Sequence, residues 1–159
     1  MTVTRTIPDL SYLFNHTSHV LKTHMTAALD EIGLTPRMHC VLVHALEEER
    51  TQIQLAEVCD MDKTTMVVTL DALEKAGYAE RRPSSRDRRA RIVSVTERGA
   101  EIAERSMRIV DRVHGAVLEA LPEGEREVFV RAMERLAGGH LAEPVDASCR
   151  RPRERAAAR

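Results

Sequence analysis

Histidine and cysteine are the side chains of this sequence whose chemistry could hold a metal, among them His16, His19, His39, Cys40 and His114. Neutral imidazole and thiolate are good zinc ligands, and a closed zinc site usually takes four of them. His16 and His19 stand three residues apart, and His39 adjoins Cys40. None shows the spacing of a zinc finger, and no CxxC occurs. The competing reading is structural, since a cysteine on an apolar stretch packs as a small hydrophobe. The cysteines Cys40, Cys59 and Cys149 are odd in number and far apart, which suits a reduced, cytoplasmic protein. Cys59 occupies an apolar packing position. Cys149 has cationic neighbours, Arg150 and Arg151, but falls in an expected tail, so neither is read as a redox sensor.

Charge is the second concentration of chemistry. Lys and Arg number 24 against 25 Asp and Glu, a formal net charge of -1. Yet Arg81, Arg82, Arg86, Arg88, Arg89 and Arg91 crowd into one short segment, with Asp87 its only acid. A locally basic segment in a near-neutral chain is the electrostatic footprint of a nucleic-acid reader. Among these, Asp87 is expected either to orient a neighbouring arginine or simply to start a turn.

The elements that must position these residues follow from periodicity and caps. With 43% hydrophobic residues, 3% aromatics and no Trp, the core must be aliphatic, which favours a mainly α protein. Ile7, Leu10, Phe14, Leu21, Met25, Ala28 and Ile32 form one stripe on a first long helix ending near Gly33. Thr35-Pro36 opens a second helix, burying Met38, Val41, Leu42 and Ala45. Thr51 and Gln54 form a capping box for a short third helix carrying Ile53, Leu55, Ala56 and Cys59. Asp62 caps a fourth, from Lys63 to about Ala76, with Met66, Val67, Leu70 and Leu73 inward and Gly77 as its stop. Residues 78–95 then read as one β-hairpin with an arginine-rich tip. Thr96 caps a long fifth helix. A sixth, opened by Pro122, Glu123 and Glu125, is expected to bury Val128, Phe129, Met133 and Leu136. Residues 143–159 are read as a mobile basic tail. No signal peptide or membrane span is visible.

Short helix, tight turn, capped helix and basic hairpin, in that order, spell a winged helix-turn-helix. Its second helix should lie in the major groove, exposing Lys63, Thr64, Thr65 and, one turn on, Val68 and Thr69. Threonine hydroxyls bond base edges or phosphates, while Lys63 would neutralise a phosphate. Arg86, Arg88 and Arg89 at the wing would enter a minor groove, with Asp87 as support.

The run Leu55-Ala56-Glu57, Leu73-Glu74-Lys75-Ala76-Gly77-Tyr78, Asp87-Arg88-Arg89 and Val95-Thr96-Glu97-Arg98-Gly99 resembles the multiple-antibiotic-resistance regulator (MarR) family. The resemblance spans residues 8–140, and Leu34-Thr35-Pro36 fits it too. It implies a homodimer reading a pseudo-palindromic double-stranded DNA operator, most often as a repressor. It also implies an organization of dimerisation helices over 1–33 and 97–142 around a DNA-binding lobe over 34–96. In that arrangement the first, second and fifth helices surround an effector cavity. A small organic acid, paired with a histidine or with Arg37, is then one effector. Zinc is the alternative, bound where His16, His19, His39, Cys40 and His114 converge. An enzyme is not expected, for there is no phosphate loop, GxSxG or HExxH. A winged-helix protein-interaction module without DNA is the rival of another class, and the arginine-rich hairpin argues against it.

Overall fold

The computed structural model describes residues 8–84 and 90–145. In chain order they form α1 (Leu10–Asp30), α2 (Pro36–Glu47), β1 (Arg50–Thr51), α3 (Gln52–Val58), α4 (Lys63–Lys75), β2 (Ala79–Pro83), β3 (Arg91–Val95), α5 (Glu97–Glu119) and α6 (Glu123–Ala137). The chain falls into two compact units, divided between Ala116 and Val117. No described helix is long and apolar enough to cross a membrane.

Caps fix most helix starts in the first unit. Asp9 accepts from Tyr12 N–H at 3.1 Å, so α1 begins after it, and Ile7 lies outside the described residues. Thr35 accepts from Met38 N–H at 3.2 Å, with Pro36 in the first turn of α2. Thr51 and Gln54 complete a capping box on α3. Asp62 accepts from Thr65 N–H at 2.9 Å to start α4. Each such cap is worth roughly 1 kcal/mol.

Helix ends are equally specified. After α3, Met61 N–H bonds Ala56 O at 2.8 Å and Asp60 N–H bonds Glu57 O at 3.2 Å, a Schellman turn. Asp60 therefore takes φ 49°, a left-handed conformation that Asp tolerates better than most residues. After α4 the same pair recurs, from Tyr78 N–H to Leu73 O and from Gly77 N–H to Glu74 O, both 2.9 Å. There Gly77 supplies φ 72°.

The hairpin gains a third strand. Arg50 and Thr51 pair antiparallel with Val93 and Ile92, so the sheet order is β1-β3-β2. A two-residue strand leaves no periodicity to read in sequence. Leu29, Val41, Leu42, Leu55, Met66, Leu70 and Leu73 are fully buried and form the centre of the core. Each such aliphatic side chain contributes about 1.5–3 kcal/mol on burial.

Two sequence expectations are corrected, one on α4 and one on α6. On α4 the inward face is Met66, Thr69, Leu70 and Leu73, with Val67 outside. Positions 66, 69, 70 and 73 follow the i, i+3, i+4, i+7 stripe, and hydrophobicity had drawn Val67 into it wrongly. Ile53, in the first turn of α3, is exposed. In the second unit, α6 buries none of its residues, and Val128, Phe129, Met133 and Leu136 all face outward.

The start of α5 is tied to the end of α4. The Thr96 hydroxyl donates to Gly77 O at 2.8 Å and accepts from Gly99 N–H at 3.0 Å. Thr96 N–H bonds Tyr78 O at 3.0 Å, and Arg98 lies over the Tyr78 ring at 5.2 Å. Gly99 is buried against this joint. A Cβ there would run into the Tyr78 carbonyl and approach Val95 Cγ1 to 2.7 Å. Backbone cannot yield as a side-chain tip can. Gly99→Ala should therefore destabilise the fold by about 1–3 kcal/mol in urea unfolding; an unchanged midpoint would contradict this joint.

Candidate functional site

The helix-turn-helix consists of α3, the Asp60-centred turn and α4. Its outward surface at the start of α4 is built from Lys63, Thr64 and Val68, the last 64% exposed. Thr65 is half-buried, and its hydroxyl donates to Asp62 Oδ2 at 2.7 Å. The same contact with Thr65 holds the Asp62 carboxyl below its usual range. Thr65 is thus part of its own helix cap, though its oxygen can still accept.

Thr69 does not have the exposure expected of it. It is 6% exposed, and its hydroxyl donates to Thr65 O at 2.8 Å, the back-bond that a helical threonine makes when it has no outside partner.

The wing leaves β2 and returns through β3 in the register Pro83↔Arg91. Arg82 and Arg91 flank the tip and are exposed. Arg81 is committed inward: it pairs with Asp71 Oδ1 at 2.9 Å and with Glu74, whose Oε1 also accepts from Arg81 N–H at 3.0 Å. This clamp fastens the wing to α4 and removes one arginine from the basic set. Arg86, Asp87, Arg88 and Arg89 lie outside the described residues.

The five candidate ligands do not form one group. His16 is exposed and stacks on Tyr12, with ring centroids 5.4 Å apart, and His19 is exposed on α1. His39 turns toward α5, where its Nδ1 meets Ser106 Oγ at 2.7 Å. Ser106 spends its only proton on Ala103 O at 2.7 Å, so it accepts from His39, which places the imidazole proton on Nδ1. Burial, and then the neighbouring His114, push the His39 pKa down, leaving the ring neutral. His114 itself is exposed.

Cys40 turns the other way. Its sulfur meets Cys59 and His44, with all three ligand atoms within 4.8 Å of one another. The hydrogen bond from Cys59 lowers the Cys40 pKa to about 7, against the opposing effect of burial. The same bond pushes the Cys59 thiol up. Adjacent helical residues point about 100° apart, which is why His39 and Cys40 part company. Sequence reasoning passed over His44 and Cys59. The first was legible as the i+4 neighbour of Cys40; the second needed the packing of α2 on α3.

Beside the helix-turn-helix lies a groove of about 360 Å³, lined by Lys22 and Thr26 of α1, Arg37 and Met38 of α2, and Val68 and Ala72 of α4, among others. Lys22 and Arg37 are its cations, and no acid lines it among the described residues.

Residues 32–90 match the model of the MarR family. The fold is similar to that of CouR from Rhodococcus jostii RHA1 bound to p-coumaroyl-CoA. That chain shares 26% identity at a TM-score of 0.76, with 87% of this chain and 96% of that one covered. It is also similar to the transcriptional repressor CouR bound to a 23-mer DNA duplex, at 25% identity, TM-score 0.73 and coverage of 80% and 92%. A third likeness is to a MarR-family protein of Mycobacterium tuberculosis in complex with salicylic acid, at 27% identity, TM-score 0.70 and coverage of 82% and 98%. The MarR resemblance read from the sequence therefore holds: the fold is the winged helix-turn-helix of that family, whose members are transcription regulators and not enzymes.

The state of His39 makes a prediction. Its lowered pKa means the unfolded chain takes up a proton first, so stability should fall as pH drops through the ordinary value of 6.5. His39→Gln should flatten that slope in urea unfolding across pH 5.5 to 7.5, a range chosen to bracket it roughly. An unaltered slope would show that His39 does not carry it.

Proposed function

We propose that this chain is a homodimeric transcriptional repressor that reads a pseudo-palindromic duplex and is released by a small organic anion. One observation carries the reading: an exposed turn of Lys63, Thr64 and Val68 opens α4, which is capped, braced by α3 and clamped to a basic wing through Arg81. Thr64 and Val68 would meet base edges, the Val68 methyls being suited to thymine. Lys63 would neutralise a phosphate. Thr65 would accept from the backbone edge while keeping its cap. Arg86, Arg88 and Arg89, with Arg82 and Arg91 behind them, would supply the minor-groove contact, and Asp87 would hold one of them in place.

Dimerisation follows from exposed apolar faces. Leu10, Leu13 and Val20 of α1 are exposed, and so, in the other unit, are the outward residues of α6. Apolar surface in that quantity is rarely left to water, and a two-fold partner would cover both sets. Half-sites would then lie about one helical turn, or a multiple, apart.

The effector reading is supported by the cationic groove and by the relatives solved with p-coumaroyl-CoA and salicylic acid. A carboxylate between Lys22 and Arg37, with its ring against Met38 and Val68, would press on the helix that reads DNA.

Two experiments test these roles by fluorescence anisotropy on a duplex obtained by selection. Lys63→Ala should weaken binding on all duplexes alike and reduce the salt slope by about 1, whereas Thr64→Ala should relax preference at one base position by about 1–3 kcal/mol. Equal loss on every sequence for Thr64→Ala would remove it from base readout. For the groove, Arg37→Gln should raise the Kd for salicylate roughly tenfold, the value of one charge-assisted hydrogen bond; unchanged affinity would take the effector elsewhere.

A further inference from the structure

Cys40, His44 and Cys59 gather where α2 meets the end of α3, and the groove that the two cysteines line shares Lys22, Pro36 and Arg37 with the larger cationic groove. We propose that these three side chains form a zinc site that staples α2 to the bracing helix of the helix-turn-helix. The proposal does not depend on the function argued above.

Cys40 and His44 are one turn apart on α2 and so share a face. Cys59 is the C-cap residue of α3, held there by its N–H to Leu55 O at 3.0 Å and by the Schellman turn that follows. Rigid backbone therefore supplies all three ligands. Their donor atoms lie within 4.8 Å of one another. Tetrahedral zinc, with bonds of about 2.0–2.3 Å, brings its ligand atoms to roughly 3.5–3.8 Å apart. Small side-chain rotations close that difference.

Two further features suit a metal. The Nδ1 of His44 is engaged by Glu47 Oε2 at 3.0 Å, which leaves Nε2 to bind. Glu47 is itself held by Arg50 Nη1 at 3.0 Å, and Arg50 also bonds the His44 carbonyl. A carboxylate on the far nitrogen of a ligating histidine fixes ring and tautomer in many zinc sites. The ligands are also reachable. Cys40 and Cys59 are half-buried and line a groove of about 250 Å³, through which an ion can enter and a water can take the fourth position. On binding, the thiol protons pass to solvent and both sulfurs ligate as thiolates, whose charge balances the cation. Two sulfurs and one nitrogen select zinc over magnesium or calcium, which take oxygen.

The test uses the full chain, reduced with a phosphine and stripped of metal, then titrated with cobalt and afterwards zinc. One cobalt per chain should bind with a thiolate-to-metal charge-transfer band, and zinc should displace it. Cys40→Ser and Cys59→Ser should each abolish the band, and His44→Ala should weaken binding. Glu47→Gln, at an exposed site that leaves folding intact, should raise the zinc Kd about 10- to 100-fold. His39→Ala should leave the charge-transfer band and the zinc Kd unchanged. Absence of the band, its persistence in Cys59→Ser, an unchanged Kd in Glu47→Gln, or its loss in His39→Ala would each overturn the site. Circular dichroism shows that each variant is folded; if a cysteine variant is not, Glu47→Gln decides.

Discussion

The winged helix-turn-helix hangs on the close approach of the first turn of α5 to the Tyr78 carbonyl. The contact requires a residue without a Cβ at Gly99, and Thr96 satisfies backbone on both sides of it. Two elements are locked at once. α4 ends at Lys75, with its stop at Gly77, and α5 begins at Glu97, so β2 leaves from and β3 returns to one point. The Arg81 clamp onto Asp71 and Glu74 adds a second fastening along the same edge. Its energy is modest, since Asp71 is largely solvated. Its geometric effect is to deny the wing a hinge against the helix.

With β2 fastened to α4 through Arg81, α2 is the helix on which the neighbouring chemistry gathers. Arg37 opens onto the cationic groove, which reaches Val68 and Ala72 of α4. His39 reaches the other way, to Ser106 of α5, and Cys40 and His44 face α3. One helix thus touches the cationic groove, the long helix of the lobe and the bracing helix. A ligand that differentiates between two positions of α2 would shift the reading surface by its difference in affinity for them, and by no more.

Much of this was legible in the sequence because caps and stops are local. Thr35, Thr51, Asp62, Gly77 and Thr96 each announce an element boundary by residue type, and each behaves as its type requires. Gly99 was legible only as part of a motif, for the clash it avoids comes from a residue far along the chain. What escaped was tertiary. Thr69 and Val67 exchanged places because polarity was weighed above helical phase. The outward face of α6 follows from nothing within a single chain. The supposed convergence of His16, His19, His39, Cys40 and His114 failed because neighbours on a helix diverge, while Cys59 entered the cluster from another helix altogether.

The central claim is that the exposed start of α4 and the basic wing read a two-fold duplex. Selection of bound duplexes from a random-sequence pool by the full-length protein tests it most directly. The account expects an enriched inverted repeat with half-sites about one helical turn apart, bound with an affinity that falls steeply with salt. A pool that stays random, or binding indifferent to salt, would contradict it and leave a winged fold that serves protein contacts instead.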